Sequence, residues 1–128
     1  MAEMIDHLSV GVSDLERGRS FYDAVLAPLG YSRVNDKGRS SGYGPDESQD
    51  DFYIVLAPDR KSRVPGFHVA LKADSRAAVD AFYAAAIAAG GIGDGAAGIW
   101  KRYHENYYAA YILDPDGNRI EAVCHRPE

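Results

Sequence analysis

The chain has 128 residues, 46% of them hydrophobic, enough for one domain with its own core. Its net charge of −5 leaves no basic footprint for nucleic acid or an anionic membrane surface, so small molecules are the expected partners. One cysteine, Cys124, excludes an internal disulfide framework and fits a reducing, cytoplasmic setting, and "MAEMIDHLSV" carries charges where a secretory signal would be apolar. The longest apolar stretch, "AAVDAFYAAAIAAGG", is interrupted by Asp80 and is too short to span a bilayer.

In chain order, residues 4 to 12 alternate as a strand, with Leu8, Val10 and Val12 on one face and His7 on the other. A helix follows, capped by Asp14, with an apolar stripe through Leu15, Tyr22, Val25, Leu26 and Leu29, and Gly30 ends it. Strand-like runs occupy 31–36, about 39–44 and 52–57. The acidic "PDESQDDF" reads as a solvated turn and "PDRKSRVP" (58–65) as a linker.

The pattern then repeats. "HLSVGVSDLERGRSFYDAVLAPLG" aligns without a gap on "HVALKADSRAAVDAFYAAAIAAGG": His7 on His68, Phe21 on Phe82, Tyr22 on Tyr83 and Gly30 on Gly91, at a constant spacing of 61 residues. A second strand over 66–72 places Phe67, Val69 and Leu71 opposite His68. Ser75 caps a helix with a stripe at Val79, Phe82, Tyr83, Ala86 and Ile87, ended by Gly90 and Gly91. A Gly-rich stretch to about residue 100 and strands at 106–113 and 119–125 complete the unit. Its "GDGAAG" matches a dinucleotide fingerprint only in letters, because it follows a helix instead of opening one. The fold class is therefore α+β: one domain of two βαβββ modules, about 1–57 and 66–128, each too small to close a core alone. Paired, they are expected to form an open, barrel-like sheet lining a cavity.

"DPDGN" fixes a register. Pro115 and Gly117 suit a three-residue hairpin loop closed by Asp114 and Asn118. Counting back sets Tyr111 opposite Glu121 and Ala109 opposite Val123, so Tyr107, Ala109, Tyr111, Glu121 and Val123 share one face. Ile120, Ala122 and Cys124 take the helix-covered face. With the modules related by an approximate twofold axis, His7, His68 and Glu121 project into one cavity, and two imidazoles with one carboxylate make a metal site. A strand histidine taken alone is more often an ordinary core or surface residue; the repeat and the shared face are what join the three.

These features together, with "MIDHLSVGV", "GFHVAL" and "YYAAYILDPDGNRIEAV", resemble the vicinal oxygen chelate superfamily: glyoxalase I, extradiol dioxygenases, fosfomycin-resistance and bleomycin-resistance proteins. The resemblance implies one divalent ion, Fe(II), Mn(II), Zn(II) or Ni(II), on His7, His68 and Glu121, and a homodimer whose modules pair within a chain or by exchange between chains. It places the fourth ligand of the isomerases on the strand "DFYIVLA", where alignment sets Ile54 over Glu121. A hydrocarbon there argues against isomerase chemistry and leaves dioxygenase-like, lyase or fosfomycin-resistance-like transferase reactions open. The alternative is a metal-free protein that sequesters an aromatic or drug-like molecule.

Around the trio, Glu121 and the Tyr111 hydroxyl are the candidate catalytic groups, and Ile54, Tyr103, Tyr107 and His104 the candidate pocket wall. Tyr107 and Tyr111 also suit plain sheet packing, and Tyr103 and His104 an exposed loop. Lys72, Lys101 and Arg102 are scattered cations available to steer an anion.

Overall fold

The computed structural model describes residues 4–59 and 64–128, so part of the 58–65 connection lies outside the described residues. The first module runs β1 (Leu8–Val12), α1 (Leu15–Leu26), a 3-10 turn (Ala27–Leu29), β2 (Ser32–Lys37), β3 (Ser40–Gly44) and β4 (Phe52–Leu56). The second runs β5 (Val69–Lys72), α2 (Arg76–Ala88), β6 (Ile92–Ile99), β7 (Tyr108–Leu113) and β8 (Arg119–Cys124). Each builds a four-stranded sheet, β1-β4-β3-β2 and β5-β8-β7-β6, and among the described residues the sheets do not close into a barrel. In both sheets the first strand runs parallel to the last and the other pairings are antiparallel.

The caps are those the sequence predicts: Asp14 accepts from the Arg17 amide at 3.0 Å and Ser75 from the Ala78 amide at 3.1 Å. Pro28 turns the end of α1 into a 3-10 turn, and Gly30, at φ 85°, leaves it in the left-handed region. On α2 the buried stripe is Val79, Phe82 and Ala86, with Tyr83 half-buried; Ile87, expected in it, is exposed, because the helix rests on β6 and β7 through the narrower face.

β1 and β5 are shorter than expected. Both begin one residue after the histidine, since Leu8 opposite Phe52 and Val69 opposite Ile120 are the first paired positions. His7 and His68 therefore stand at the strand entrances.

One hydrophobic core spans both modules, because α1 packs against α2 while each helix covers its own sheet. Phe21, Tyr22, Val25 and Leu26 enter it from α1, Val79 and Phe82 from α2, and Ile112, Ile120 and Ala122 from the second sheet. Burying each large apolar side chain contributes about 1.5–3 kcal/mol, so neither module keeps this term without the other.

The "DPDGN" turn has the expected form: Gly117 sits at φ 88° and donates to the Asp114 carbonyl, and the Asp114 amide bonds the Asn118 carbonyl at 2.9 Å. It also clamps the modules together. Tyr22 donates to Asp114 Oδ2 at 2.6 Å, Ser13 Oγ to Asp116 Oδ1 at 2.6 Å, and Asn118 Nδ2 to the Gly11 carbonyl at 2.9 Å. Asp114 is buried and also accepts from the amides of Asp116 and Asn118, so its charge is well solvated by donors. "GDGAAG" lies in edge strand β6 and opens no helix. Among the described residues no helix is long and apolar enough to cross a membrane.

Candidate metal and ligand site

The face of the second sheet turned away from the helices carries the chemistry. The hairpin register is the predicted one, Tyr111 opposite Glu121 and Ala109 opposite Val123. Ala109, Tyr111 and Val123 form a small separate cluster with Tyr107 and Trp100, while Ile120, Ala122 and Cys124 join the main core.

Glu121 is fully buried, at 0% exposure, and each of its oxygens has a donor. His68 Nε2 lies 2.9 Å from Oε1, and the Tyr107 hydroxyl donates to Oε2. Two directed hydrogen bonds thus stand in for water around the buried carboxyl. Burial, with Glu121 next, raises the Tyr107 phenol far above its ordinary range, keeping it a donor. Tyr111 is pushed up to about 12 by burial and by the negative charge of Glu121. Its ring is held between Trp100, centroids 5.0 Å apart, and the Arg119 guanidinium, 4.3 Å above it. Trp100 is itself pinned by Nε1 donating to the Ala109 carbonyl at 3.0 Å.

His7 stands elsewhere within the chain. Its Nδ1 is 2.6 Å from Asp6 Oδ1, and its ring meets Tyr53 edge-on at 5.9 Å on the open face of the first sheet. A cleft of about 630 Å³ opens there, lined by His7, Ser9, Lys37, Arg39, Ser40 and Tyr53, with Asp50 and Val55. Among the described residues no three His, Cys, Asp or Glu side chains converge in one chain. The chain thus brings His68 and Glu121 together and leaves His7 on the other sheet.

The expected pocket wall needs one correction. Ile54 does not face a cavity; it is fully buried in the helix-covered core, with its Cδ1 3.2 Å from where a Cβ on Gly18 would sit. Register shows why. Leu8 pairs with Phe52 as Val69 pairs with Ile120, so one residue on, Ser9 opposite Tyr53 matches Ala70 opposite Glu121. Tyr53, not Ile54, is the counterpart of Glu121. Its hydroxyl donates to Asp50, which also accepts from Asn35 Nδ2 at 3.1 Å.

Tyr103 and His104 lie exposed on the loop between β6 and β7. Tyr103 packs on Tyr107 at 4.7 Å, and His104 Nε2 meets His125 Nδ1 at 2.8 Å with the rings stacked. The Asn106 amide donates to His104 Nδ1, so in the neutral ring Nε2 carries the proton and donates to His125. Sequence reasoning missed Trp100, Arg119 and the Tyr53–Asp50 pair. Arg119 was within reach, since it sits two residues before Glu121 on the same strand face.

The observed donors suit a divalent ion. His68 Nε2 and Glu121 Oε1, now 2.9 Å apart in a hydrogen bond, would both turn to the ion, with the imidazole taking its other tautomer. One neutral imidazole and one carboxylate, backed by a phenol on the second oxygen, are ordinary components of such a centre.

Two βαβββ modules with helix-covered sheets and a His–Glu pair on an open sheet face define a protein of the glyoxalase fold. The chain belongs to the Glyoxalase/Bleomycin resistance protein/Dioxygenase superfamily, whose family model matches residues 4–122. Among solved structures it is similar to a glyoxalase/bleomycin resistance protein from Albidiferax ferrireducens T118, with 34% identity and a TM-score of 0.84 over 98% of this chain and 100% of that one. A glyoxalase/bleomycin resistance protein/dioxygenase family enzyme from Burkholderia phytofirmans PsJN shares the fold at 20% identity and a TM-score of 0.71, covering 94% and 98% of the two chains. The genomically encoded fosfomycin resistance protein FosX from Listeria monocytogenes shares it at 15% identity and 0.70, covering 97% and 94%. None of the curated proteins matches this chain.

Proposed function

We propose that the protein is a metal-dependent enzyme of its superfamily, acting as a homodimer that holds a small oxygen-bearing substrate against a divalent ion. The observation that carries this reading is the buried Glu121 with His68 Nε2 at 2.9 Å on an open sheet face. Glu121 and His68 would hold the ion, and His7 from a second copy of the chain would complete the set. His7 supports that role by its place: it precedes β1 as His68 precedes β5, beside Tyr53 as His68 is beside Glu121. The cleft beside His7 is lined by residues of the first module alone, so pairing the first sheet of one copy with the second sheet of another is the economical way to join the two faces.

When bound, the ion would supply Lewis acidity, stabilising negative charge on substrate oxygens. The chain's own residues do the rest. Tyr107 fixes the rotamer of Glu121, Trp100 and Arg119 hold Tyr111, and the Tyr111 hydroxyl, protonated throughout the physiological range and buried beside Tyr107 and Glu121, would turn from them to donate to a substrate oxygen. Dioxygenase-like and fosfomycin-resistance-like transferase reactions both fit three protein ligands with open positions.

A second reading has one observation in its favour: both Glu121 oxygens are already hydrogen-bonded by His68 and Tyr107, as a metal-free binding protein requires. Titrating Mn(II), Fe(II) and Zn(II) into chelator-treated wild type, His68→Ala and Glu121→Ala decides between them. The enzyme reading expects about one ion per cavity in wild type and at least tenfold weaker binding in each variant, with affinity falling in acid as the imidazoles protonate. No specific binding in wild type, or equal binding in the variants, would leave the binding-protein reading.

A further inference from the structure

We propose that the cleft beside His7 receives an anionic group of the ligand, a carboxylate or phosphoryl oxyanion, between Lys37 and Arg39. The inference rests on reading this face as a ligand wall, and it adds the chemical class of the ligand.

The charges in the cleft run against those of the chain. The protein carries a net charge of −5, yet Lys37 and Arg39 line this cleft against a single carboxylate, Asp50. That carboxylate is engaged: it accepts from the Tyr53 hydroxyl and from Asn35 Nδ2. The Tyr53 hydrogen bond, against slight desolvation, holds Asp50 below the ordinary carboxylate range. Other arginines of the fold hold carboxylates: Arg17 with Asp116, Arg19 with Glu16, Arg33 with Asp23 and Arg119 with Asp94. Among the described residues neither Arg39 nor Lys37 makes an ion pair, and the Lys37 charge reaches Asp50 at longer range.

The hairpin that bears these cations is braced from behind. Lys37 pairs with Ser40 across the turn at Gly38 and Arg39, and Ser40 pairs with Val55, so Lys37, Ser40 and Val55 share the open face. On the opposite face Arg19 Nε donates to Ser41 Oγ at 2.8 Å, Ser41 Oγ to Asp36 Oδ1 at 2.6 Å, and Arg19 Nη2 to the Lys37 carbonyl at 3.3 Å. The turn is thereby bolted to α1, and its two cations project from a fixed backbone. The small side chains of Ser9 and Ser40 line the cleft and leave room for a ligand, while the Tyr53 ring lies over Gly42, where a Cβ would fall 2.9 Å from it. Lysine and arginine on a braced turn over a small-residue floor suit an oxyanion, with arginine offering two parallel N–H donors.

The test uses benzoate and inorganic phosphate as anionic probes and benzamide as the neutral analogue of benzoate. Binding to wild type and to the exposed double variant Lys37→Gln/Arg39→Gln is followed by amide chemical shifts, at low and high salt, with and without Mn(II). Expected are shifts centred on residues 37–40, benzoate at least tenfold tighter than benzamide in wild type, and loss of that preference in the double variant and at high salt. Equal affinity for benzoate and benzamide, shifts elsewhere only, or no shift with either anion overturns the inference. Metal affinity of the wild type, compared with that of His68→Ala, reports separately on the enzyme reading. A wild type without metal binding but with the anion preference would refute the enzyme and keep the anion cleft.

Discussion

Tyr53 stands in the first sheet where Glu121 stands in the second, each on the last strand of its module and one residue past the first pair with the strand that follows the histidine. Duplication has thus kept the framework while the two positions diverged: one carboxylate beside His68, one phenol beside His7.

Carboxylates introduced at Tyr53 and at its neighbour Ile54 should therefore behave in opposite ways. Ile54→Glu buries a charge in the helix-covered core among Val12 and Gly18, at a cost of several kcal/mol, so its melting temperature should collapse with or without metal. Tyr53→Glu puts the charge on the open face beside His7 and removes the donor from Asp50. Its stability should drop through repulsion and recover with added Mn(II), with metal binding at least tenfold tighter than wild type. Thermal melts with and without Mn(II) read both; a Tyr53→Glu protein that ignores metal contradicts the placement.

Tyr107→Phe removes the hydrogen bond to Glu121 Oε2 and leaves the ring packing on Tyr103. Partners behind a metal ligand typically change affinity by about 10–100-fold. Calorimetric Mn(II) titration should show a loss in that range with a fold intact by circular dichroism; unchanged affinity would make Tyr107 a packing residue only.

Acid should loosen the module clamp. Although burial pushes the other way, the hydrogen bonds from Ser13 and the charge of Arg17 hold Asp116 below its ordinary value of 3.8. A lowered folded value contributes stability above the unfolded pKa that is lost as pH falls through the folded one. Asp116→Asn should accordingly be less stable than wild type at pH 7, with the gap closing below about pH 4. Urea midpoints at pH 7 and pH 3 measure it, and a constant gap would contradict the assignment.

How much the sequence discloses depends on where a turn fixes parity. Pro115 and Gly117 specify a hairpin whose loop length sets the register, so the face holding Tyr111 and Glu121 is readable by counting. β4 offers no such reference. "FYIVL" is apolar throughout, so alternation is silent, and its parallel pairing with β1 arises across the whole module. Ile54 and Tyr53 were separable only by that pairing. β6 is similarly opaque, because two irregularities, at Gly93–Gly95 and Gly95–Gly98, break the count that would have brought Trp100 to Tyr111. The α1 stripe, the α2 stripe apart from Ile87, and both helix caps were legible because period and capping chemistry are local.

If His7 from one copy completes the centre begun by His68 and Glu121 of another, mixing subunits carrying complementary substitutions should restore it. His7→Ala and Glu121→Ala are each expected to be dimers with two damaged sites and little metal. Unfolded together and refolded at equal amounts, they should give heterodimers in which one site carries both substitutions and the other is intact. With random pairing, half the dimers are mixed, so about one Mn(II) per four chains should bind at wild-type affinity. Metal binding no greater than in the separate variants, although mass spectrometry shows mixed dimers, would contradict the account.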